Sequence, residues 1–411
     1  MGRLLDTVLP PRLGTSFRWL VASSWTSNIG DGIALAAGPL LVASQTREPF
    51  LVALAALLQR LPWLLLGLWS GAIADRVDRR LLVVVADLAR ALVVLTLVLF
   101  VVTGWVDVRV VLVLLFLHGV AEVFADTATG TLLPMLVGRG DLGIGNARLQ
   151  AGTLTANQLV GPPVGAFLFA AGMAWPFVVQ AVCVLLSVLL LTRIATPPGP
   201  VRDLTGTHVR RDIAEGLRWL LAHPPVRTLS LVILAFNVTW GAAWSVLVLW
   251  AQDRLDAGEV GFGLLTSAAA LGGLVSTSLY DVIERRVPLA TVMRTCLLLE
   301  VLTHLALALT TSLAVALAVM VAFGAYAFVW GTVSQAVRQR AVPTEFQGRV
   351  GSVYVVSLFL GLVVGQGLGG LIAGRWGVTA PFWFAFVGSA LTLAVVWRQL
   401  ALVAHAEPAA A

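Results

Sequence analysis

Three acidic residues stand inside long apolar stretches, where an ionisable side chain is costly to place and is usually functional. Asp31 lies near the middle of the first stretch, one turn after Asn28, and Glu122 and Asp126 are four residues apart in the fourth. Residues spaced i and i+4 share one face of a helix. A buried carboxyl group can exchange protons. The sequence therefore predicts proton coupling or substrate contact at Asp31, Glu122 and Asp126, and at the neighbouring Asn28.

The alternative for each carboxyl group is a structural ion pair. Arg60 is the basic residue expected near mid-depth in the first half of the chain, and it could pair with Asp31 or Glu122. In the ninth apolar stretch, Glu300 and His304 are expected to lie at the periphery of the protein.

The second half carries aromatic residues where the first half carries acids. Asn237, Trp240 and Trp244 follow an i, i+3, i+7 pattern that places them on one helical face, and Tyr326 and Trp330 lie in the tenth stretch. Aromatic rings with an amide suit a large, partly apolar and possibly cationic ligand. Ordinary helix packing would use the same residues, and the sequence leaves both interpretations open.

The positions of these residues depend on membrane-spanning helices. The chain has 411 residues, of which 59% are hydrophobic and 12% charged, whereas soluble domains carry about 25% charged residues. Apolar stretches that are long enough to cross about 30 Å of hydrocarbon recur along the whole chain. The sequence predicts an all-α membrane protein with twelve spans, at residues 17–44, 50–74, 81–103, 108–136, 146–171, 174–195, 226–251, 259–282, 288–310, 312–337, 347–373 and 378–401.

The arginine residues predict the orientation of these spans. If both termini are cytoplasmic, only Arg47, Arg109, Arg254 and Arg375 fall in outer loops, as the positive-inside rule favours. The net charge of +6 therefore reflects orientation in the inner (plasma) membrane and does not indicate nucleic-acid binding. No metal site is expected, since the few histidine and cysteine residues are scattered.

Three pairs of sequence features recur at nearly one offset. D-x-x-D-R-R at 75–80 is followed by D-x-x-E-R-R at 281–286, GPPVG at 161–165 by GQGLG at 365–369, and Pro134 by Pro343. The offsets indicate two six-helix bundles built on one plan, at residues 1–195 and 226–411. A cytoplasmic linker at 196–225 joins them. The linker is predicted to hold a short amphipathic helix with Ile213, Leu217, Leu220 and Leu221 on one face, although a loosely structured linker is the alternative.

The stretch GAIADRVDRR at 71–80 resembles the signature loop between helices 2 and 3 of the major facilitator superfamily, G-x-x-x-D-R-x-G-R-R/K. The matching residues are Gly71, Asp75, Arg76, Arg79 and Arg80, and Asp78 stands at the usual glycine. This variant resembles the branch that contains enterobactin exporters and macrolide-efflux proteins. The resemblance covers essentially the whole chain. It implies that the first and fourth helices line a central cavity, which Asp31, Glu122 and Asp126 would face.

The resemblance also implies a role for the charged loop. In the superfamily this loop acts as a cytoplasmic latch, in which an acid at the position of Asp75 accepts backbone N–H bonds from the start of the eleventh helix. Arg76, Arg79 and Arg80 could then bridge to Asp78 and Asp87. Arg90, three residues after Asp87, could extend the network. The alternative is that these arginines only set orientation and bind lipid headgroups.

Two further features bear on the direction and coupling of transport. GPPVG resembles the end of the antiporter motif G-P-x-x-G-G through Gly161, Pro162 and Gly165, with Ala166 at the last glycine. Many proton-coupled members of the superfamily carry an arginine in helix 4, and Leu115 occupies that place here. A coupling scheme that depends on that arginine therefore does not carry over.

These features predict a monomeric secondary transporter that exports a small amphipathic compound, such as a drug, siderophore or secondary metabolite, in exchange for protons. The expected partners are the substrate, protons and the lipid bilayer, and no cofactor is expected. No G-x-x-x-x-G-K-[ST] signature of an ATP-driven pump is present. Uptake or lipid flipping on the same fold are the alternatives. An enzyme or a receptor is disfavoured, because no catalytic cluster or sizeable extramembrane domain is found.

Overall fold

The protein is helical throughout the residues that the computed structural model describes, 11–74, 76–195, 209–343 and 346–404. Its first six helices are α1 Gly14–Gln45, α2 Pro49–Ala74, α3 Arg79–Val102, α4 Val108–Leu136, α5 Leu142–Gly152 continued through a π-helical turn at Thr153–Val160 into Gly161–Ala171, and α6 Trp175–Leu191. The remaining helices are α7 Val209–Ala222, α8 Pro224–Ser245 continued as Leu247–Leu255, α9 Glu259–Arg286, α10 Leu289–Leu309, α11 Leu313–Ala341, α12 Gln347–Trp376, α13 Ala380–Val396 and α14 Gln399–Ala404.

Each of the twelve predicted spans coincides with one of these helices, from α1 to α6 and from α8 to α13. Eight helices in the described residues are long and apolar enough to cross a membrane by length and composition alone. Trp175–Leu191 and Ala380–Val396 are shorter apolar helices. The predicted fold class, an all-α membrane protein with two six-helix repeats, is confirmed.

Short polar and glycine-containing turns separate the helices. Asp78 begins α3 by accepting a 2.8 Å hydrogen bond from the backbone N–H of Leu81, and Asp107 begins α4 in the same way through the N–H of Arg109. Gly377, which follows α12, has a positive φ of 86° that a side chain would disfavour. These residues thus mark where α3 and α4 begin and where α12 ends.

Residues group into two compact units, Met1–Gln45 with Leu61–Thr205 and Thr46–Arg60 with Gly206–Ala411. The grouping differs from the predicted division at residue 195, because the first part of α2 counts with the second unit. In the first unit α1 packs against α5 and α6, and α3 packs against α4 and α6. In the second unit α8 packs against α12 and α13, and α10 packs against α11 and α13. The same pairings therefore recur in the two units.

Glycine residues explain the recurring motifs GPPVG and GQGLG. A Cβ added to Gly165 of α5 would overlap the backbone carbonyl of Ile33 on α1. A Cβ added to Gly365 of α12 would overlap the carbonyl of Val238 on α8 in the same manner. Each glycine lets two helix backbones approach closely inside its own unit.

The linker residues that the structure describes include helix α7, which packs on α12. Glu215 accepts hydrogen bonds from Arg211 Nε at 2.8 Å and pairs with Arg349 Nη1 at 2.9 Å. The hydrogen bond from Arg211, assisted by the charge of Arg349, lowers the pKa of the Glu215 carboxyl group. Of the predicted apolar face, only Leu220 is buried, whereas Leu217 is 43% exposed. The helix therefore packs one side on protein and leaves a second apolar side uncovered.

Candidate functional site

Asp31, on α1, forms an ion pair with Arg90, on α3, inside the first unit. Ser27, one turn earlier on α1, donates to Asp31 Oδ2 at 3.2 Å. The structure thus corrects the ion pair considered from the sequence, because Arg90 is the partner of Asp31 and Arg60 is not.

Arg90 is the centre of this arrangement. Its side chain is 1% exposed, and its Nη1 donates to Asp87 Oδ1 at 2.9 Å while Nη2 donates to Asp31. Asp87 and Arg90 were grouped with the cytoplasmic latch in the sequence analysis. Their contacts place them instead with Asp31 among the buried groups of α1 and α3, where a buried charge requires a partner.

Glu122 and Asp126, on α4, complete a group that we call the Arg90 cluster: Asp31, Asp87, Arg90, Glu122 and Asp126. Arg90 interacts electrostatically with all four carboxyl groups. If all five groups are ionised, one positive charge faces four negative ones. The excess negative charge would be reduced by the uptake of a proton or by the approach of a cation.

A cavity of about 30 Å³ lies within this cluster. Its wall includes Asp31, Asp87, Arg90 and Asp126, together with Asn28, whose Nδ2 is held by the carbonyl of Ser24 at 2.8 Å. A polar cavity of this volume holds about one water molecule. It is sized for water and protons and is too small for an organic compound.

A second and larger cavity lies in the other unit, with a volume of about 280 Å³. It is lined by Asn237, Trp240, Tyr326 and Trp330, all of which the sequence analysis had marked for substrate contact. Trp244 does not line it, but its ring centroid lies 5.1 Å from that of Trp240. We call this the aromatic cavity.

Glu300 and His304 were expected at the periphery, and that expectation is wrong. Glu300 is 7% exposed and lines the aromatic cavity, and His304 is fully buried behind it. Tyr326 donates its hydroxyl to Glu300 Oε2 at 2.8 Å, and His304 Nε2 lies 3.1 Å from Glu300 Oε1. The i, i+4 spacing of Glu300 and His304 places them on one face of α10 but does not show that this face is buried.

Parts of the proposed latch lie in the described residues, and Asp75 lies outside them. Gly71 lies in the last turn of α2, where an added Cβ would meet nothing within 4 Å, and Arg76 is exposed. The carboxyl group of Asp78 caps α3, as described above. Arg80 Nη2 donates to the carbonyl of Thr192 at 2.6 Å, and Arg79 Nη1 donates to the carbonyl of Thr131 at 3.4 Å. These two arginines therefore bind backbone carbonyl groups of α4 and of the end of α6, within the first unit.

The antiporter-like motif lies where α5 meets α1. A Cβ on Gly161 would contact the backbone of Gly32, and Pro162 and Gly165 follow on the same buried surface. The π-helical turn Thr153–Val160 comes directly before the motif. Such turns inside α-helices are frequent at functional sites.

Comparison with known proteins identifies the family. Residues 7–409 match the family described as "Transmembrane secretion effector", which is nearly the whole chain. The chain belongs to this family of the major facilitator superfamily. It is accordingly a multi-pass membrane transporter, and its fold and relatives are those of transporters and not of enzymes.

Two relatives among the curated proteins are exporters by name. The multidrug efflux pump Tap of Mycolicibacterium fortuitum is 27% identical over 379 residues, which cover 88% of this chain and 90% of Tap. The enterobactin exporter EntS of Shigella boydii serotype 4 (strain Sb227) is 26% identical over 275 residues, 64% of each chain.

Solved structures show the same fold at low identity. A bacterial homologue of the iron transporter ferroportin in its inward-facing state has a TM-score of 0.73 and 18% identity, and covers 94% of this chain and 98% of that one. The nucleoside transporter NupG has a TM-score of 0.71 and 11% identity, with 94% and 99% covered. Among the described residues, no group of histidine, cysteine and acidic side chains is arranged to hold a metal ion.

Proposed function

We propose that this chain is an efflux transporter that exports a small amphipathic compound in exchange for protons. The family description and the names of the relatives Tap and EntS support export. The observation that carries the coupling is the Arg90 cluster, in which the Arg90 guanidinium contacts Asp31 and Asp87 and lines one small cavity with them and with Asp126. The expected setting is the inner (plasma) membrane, with both termini cytoplasmic.

Coupling follows from the repulsion of like charges. A proton on the cluster and the positive charge of a bound cationic substrate disfavour each other, so each lowers the affinity for the other. Protonation of Asp31 removes the charge that pairs with Arg90, which leaves Asp87 as the partner of the guanidinium. The cavity of about 30 Å³ admits the water through which such a proton would travel.

The conformational cycle that we propose is alternating access, in which the two six-helix bundles rock around the substrate. The loop at 71–80 would act as the cytoplasmic latch, with Asp75 as its central acid. Gly161, Pro162 and Gly165 would keep α1 and α5 in close contact as the first bundle moves, since small residues permit that approach. We further propose that the transporter works as a monomer and without a cofactor.

Transport into inside-out membrane vesicles tests this proposal. An imposed proton gradient, acidic inside, should drive the uptake of ethidium by the unmodified chain, and Asp31→Asn should reduce the rate by about tenfold or more, a barrier change of about 1.4 kcal/mol. Asp107→Asn is the matched control, because asparagine also caps a helix and residue 107 lies in a loop before α4.

Three outcomes would contradict the proposal. Uptake by Asp31→Asn at the unmodified rate, with the same dependence on the proton gradient, would remove Asp31 from the coupling mechanism. Accumulation only in right-side-out vesicles would favour the alternative of substrate uptake, and movement of a labelled lipid alone would favour flipping.

A further inference from the structure

The aromatic cavity has one acidic group in an otherwise apolar wall. Trp240 stacks on Phe323 with ring centroids 3.9 Å apart, and Tyr326 meets Phe323 edge to face at 5.6 Å. Trp330 adds a further ring. Glu300 is the only charged side chain among the residues that line the cavity.

The carboxyl group of Glu300 is held rigidly at this wall. One of its oxygens accepts the hydroxyl of Tyr326 at 2.8 Å, and the other lies 3.1 Å from His304 Nε2. Tyr326 also bonds to Thr303 Oγ1 at 3.0 Å, so the hydroxyl is fixed in turn. Both oxygens of the carboxyl group are therefore held by neighbouring side chains.

A polar atom without a partner accompanies this carboxyl group. His304 is fully buried, and its Nδ1 makes no hydrogen bond among the described residues. Buried polar atoms are nearly always paired, so an orphan of this kind calls for an explanation.

Aromatic rings around one anionic group are the arrangement that recognises an organic cation. The ring faces attract an ammonium group, most strongly where water is excluded, and the carboxylate supplies the opposite charge. A volume of about 280 Å³ accommodates an ammonium group with a single aromatic ring, and falls just below the range of pockets for drug-sized ligands.

We propose that the aromatic cavity binds the cationic end of the exported compound, a quaternary or protonated amine that carries one aromatic ring, with Glu300 as the counter-charge. The inference deepens the proposed function by naming the substrate class. It assigns cation binding to the second unit and leaves proton coupling with the Arg90 cluster of the first.

Isothermal titration of the purified full chain in detergent with benzyltrimethylammonium tests this site. Glu300→Gln keeps the shape and an acceptor for Tyr326 but removes the charge, and should weaken binding by about tenfold or more. Trp240→Leu keeps an apolar wall but removes a ring, and should also weaken binding. Glu259→Gln, the same change in the first turn of α9, should bind as the unmodified chain does.

The readout separates binding from folding. Titrations are made on the monodisperse fraction of each variant, so a variant that folds poorly lowers the amount of protein and not the affinity of what remains. Equal affinity in Glu300→Gln and Glu259→Gln would overturn the proposal and leave the network a structural one. So would the unmodified chain's failure to bind the probe at millimolar concentration.

Failure of the proposed function gives a different pattern. Asp31→Asn should still bind benzyltrimethylammonium, because Asp31 belongs to the other unit and does not line the aromatic cavity. If binding depends on Glu300 but transport does not depend on the proton gradient, the proposal of proton coupling is wrong and the proposed binding site is still supported. If export is driven by protons but Glu300→Gln binds benzyltrimethylammonium normally, the proposed binding site is wrong and the proposed proton-driven export is still supported.

Discussion

Arg90→Met is expected to reduce the free energy of unfolding by about 3–5 kcal/mol, the usual effect of removing one partner from a buried ion pair. The physical reason is that Asp31 and Asp87 lose the guanidinium that both contact, and the cluster keeps only negative groups. Unfolding of the purified protein in mixed micelles measures the change. Arg109→Met, at an exposed position near the start of α4, is the matched control and should unfold as the unmodified chain does.

A rescue variant makes this expectation specific to charge. Adding Asp31→Asn and Asp87→Asn to Arg90→Met removes the two unpaired carboxylates, so the triple variant should recover part of the lost stability. If Arg90→Met proves as stable as Arg109→Met, the Arg90 cluster is not a paired buried network. A triple variant less stable than Arg90→Met would show that the loss comes from packing and not from charge.

Gly165→Ala is expected to destabilise the protein by about 1–3 kcal/mol, the range found for overpacked cores. The new Cβ would overlap the carbonyl of Ile33, so α1 and α5 would have to move apart. Gly130→Ala, in α4, meets nothing within 4 Å and should be neutral or stabilising by up to about 1 kcal/mol, because alanine favours the helix. The two substitutions are chemically identical, but only Gly165→Ala should lower the stability of the protein.

The repeat extends this expectation to the second unit. Gly365→Ala should destabilise as Gly165→Ala does, because its Cβ would overlap the carbonyl of Val238. A stabilising effect at either position would mean that the helix backbones are less closely packed than the structure shows.

Much of the fold could be predicted from the sequence, because each span is a long apolar run bounded by charged or turn-forming residues. The repeat could be predicted as well, because close helix contacts require glycine and leave a motif such as GPPVG. Helix ends at Asp78 and Asp107 carry their own capping signal.

The partners of charged residues were predicted less well. Arg60 and Arg90 both lie in apolar spans, and only the rotation and depth of α1 and α3 decide that Arg90 reaches Asp31. A single span contains no information on how its neighbour is rotated. Arg90 also lies among the acidic groups of α4, although Leu115 replaces the arginine that many proton-coupled relatives carry in that helix.

Glu300 was misplaced for a related reason. α10 is apolar on most sides, so its pattern does not show which face is buried. The buried side became visible only once Tyr326 of α11 was found to contact Glu300. Pairing of polar residues between helices is a tertiary property, and the aromatic cavity therefore emerged from the structure.

Proton release on ligand binding tests the central claim most directly. Purified protein in a weakly buffered detergent solution with a pH indicator is mixed with lipophilic cations, macrolides and siderophores in turn, beside Asp31→Asn. The account predicts that lipophilic cations release protons from the unmodified chain and that Asp31→Asn binds them with little or no release. A ligand that binds the unmodified chain without releasing protons, and is still exported, would contradict proton exchange through the Arg90 cluster.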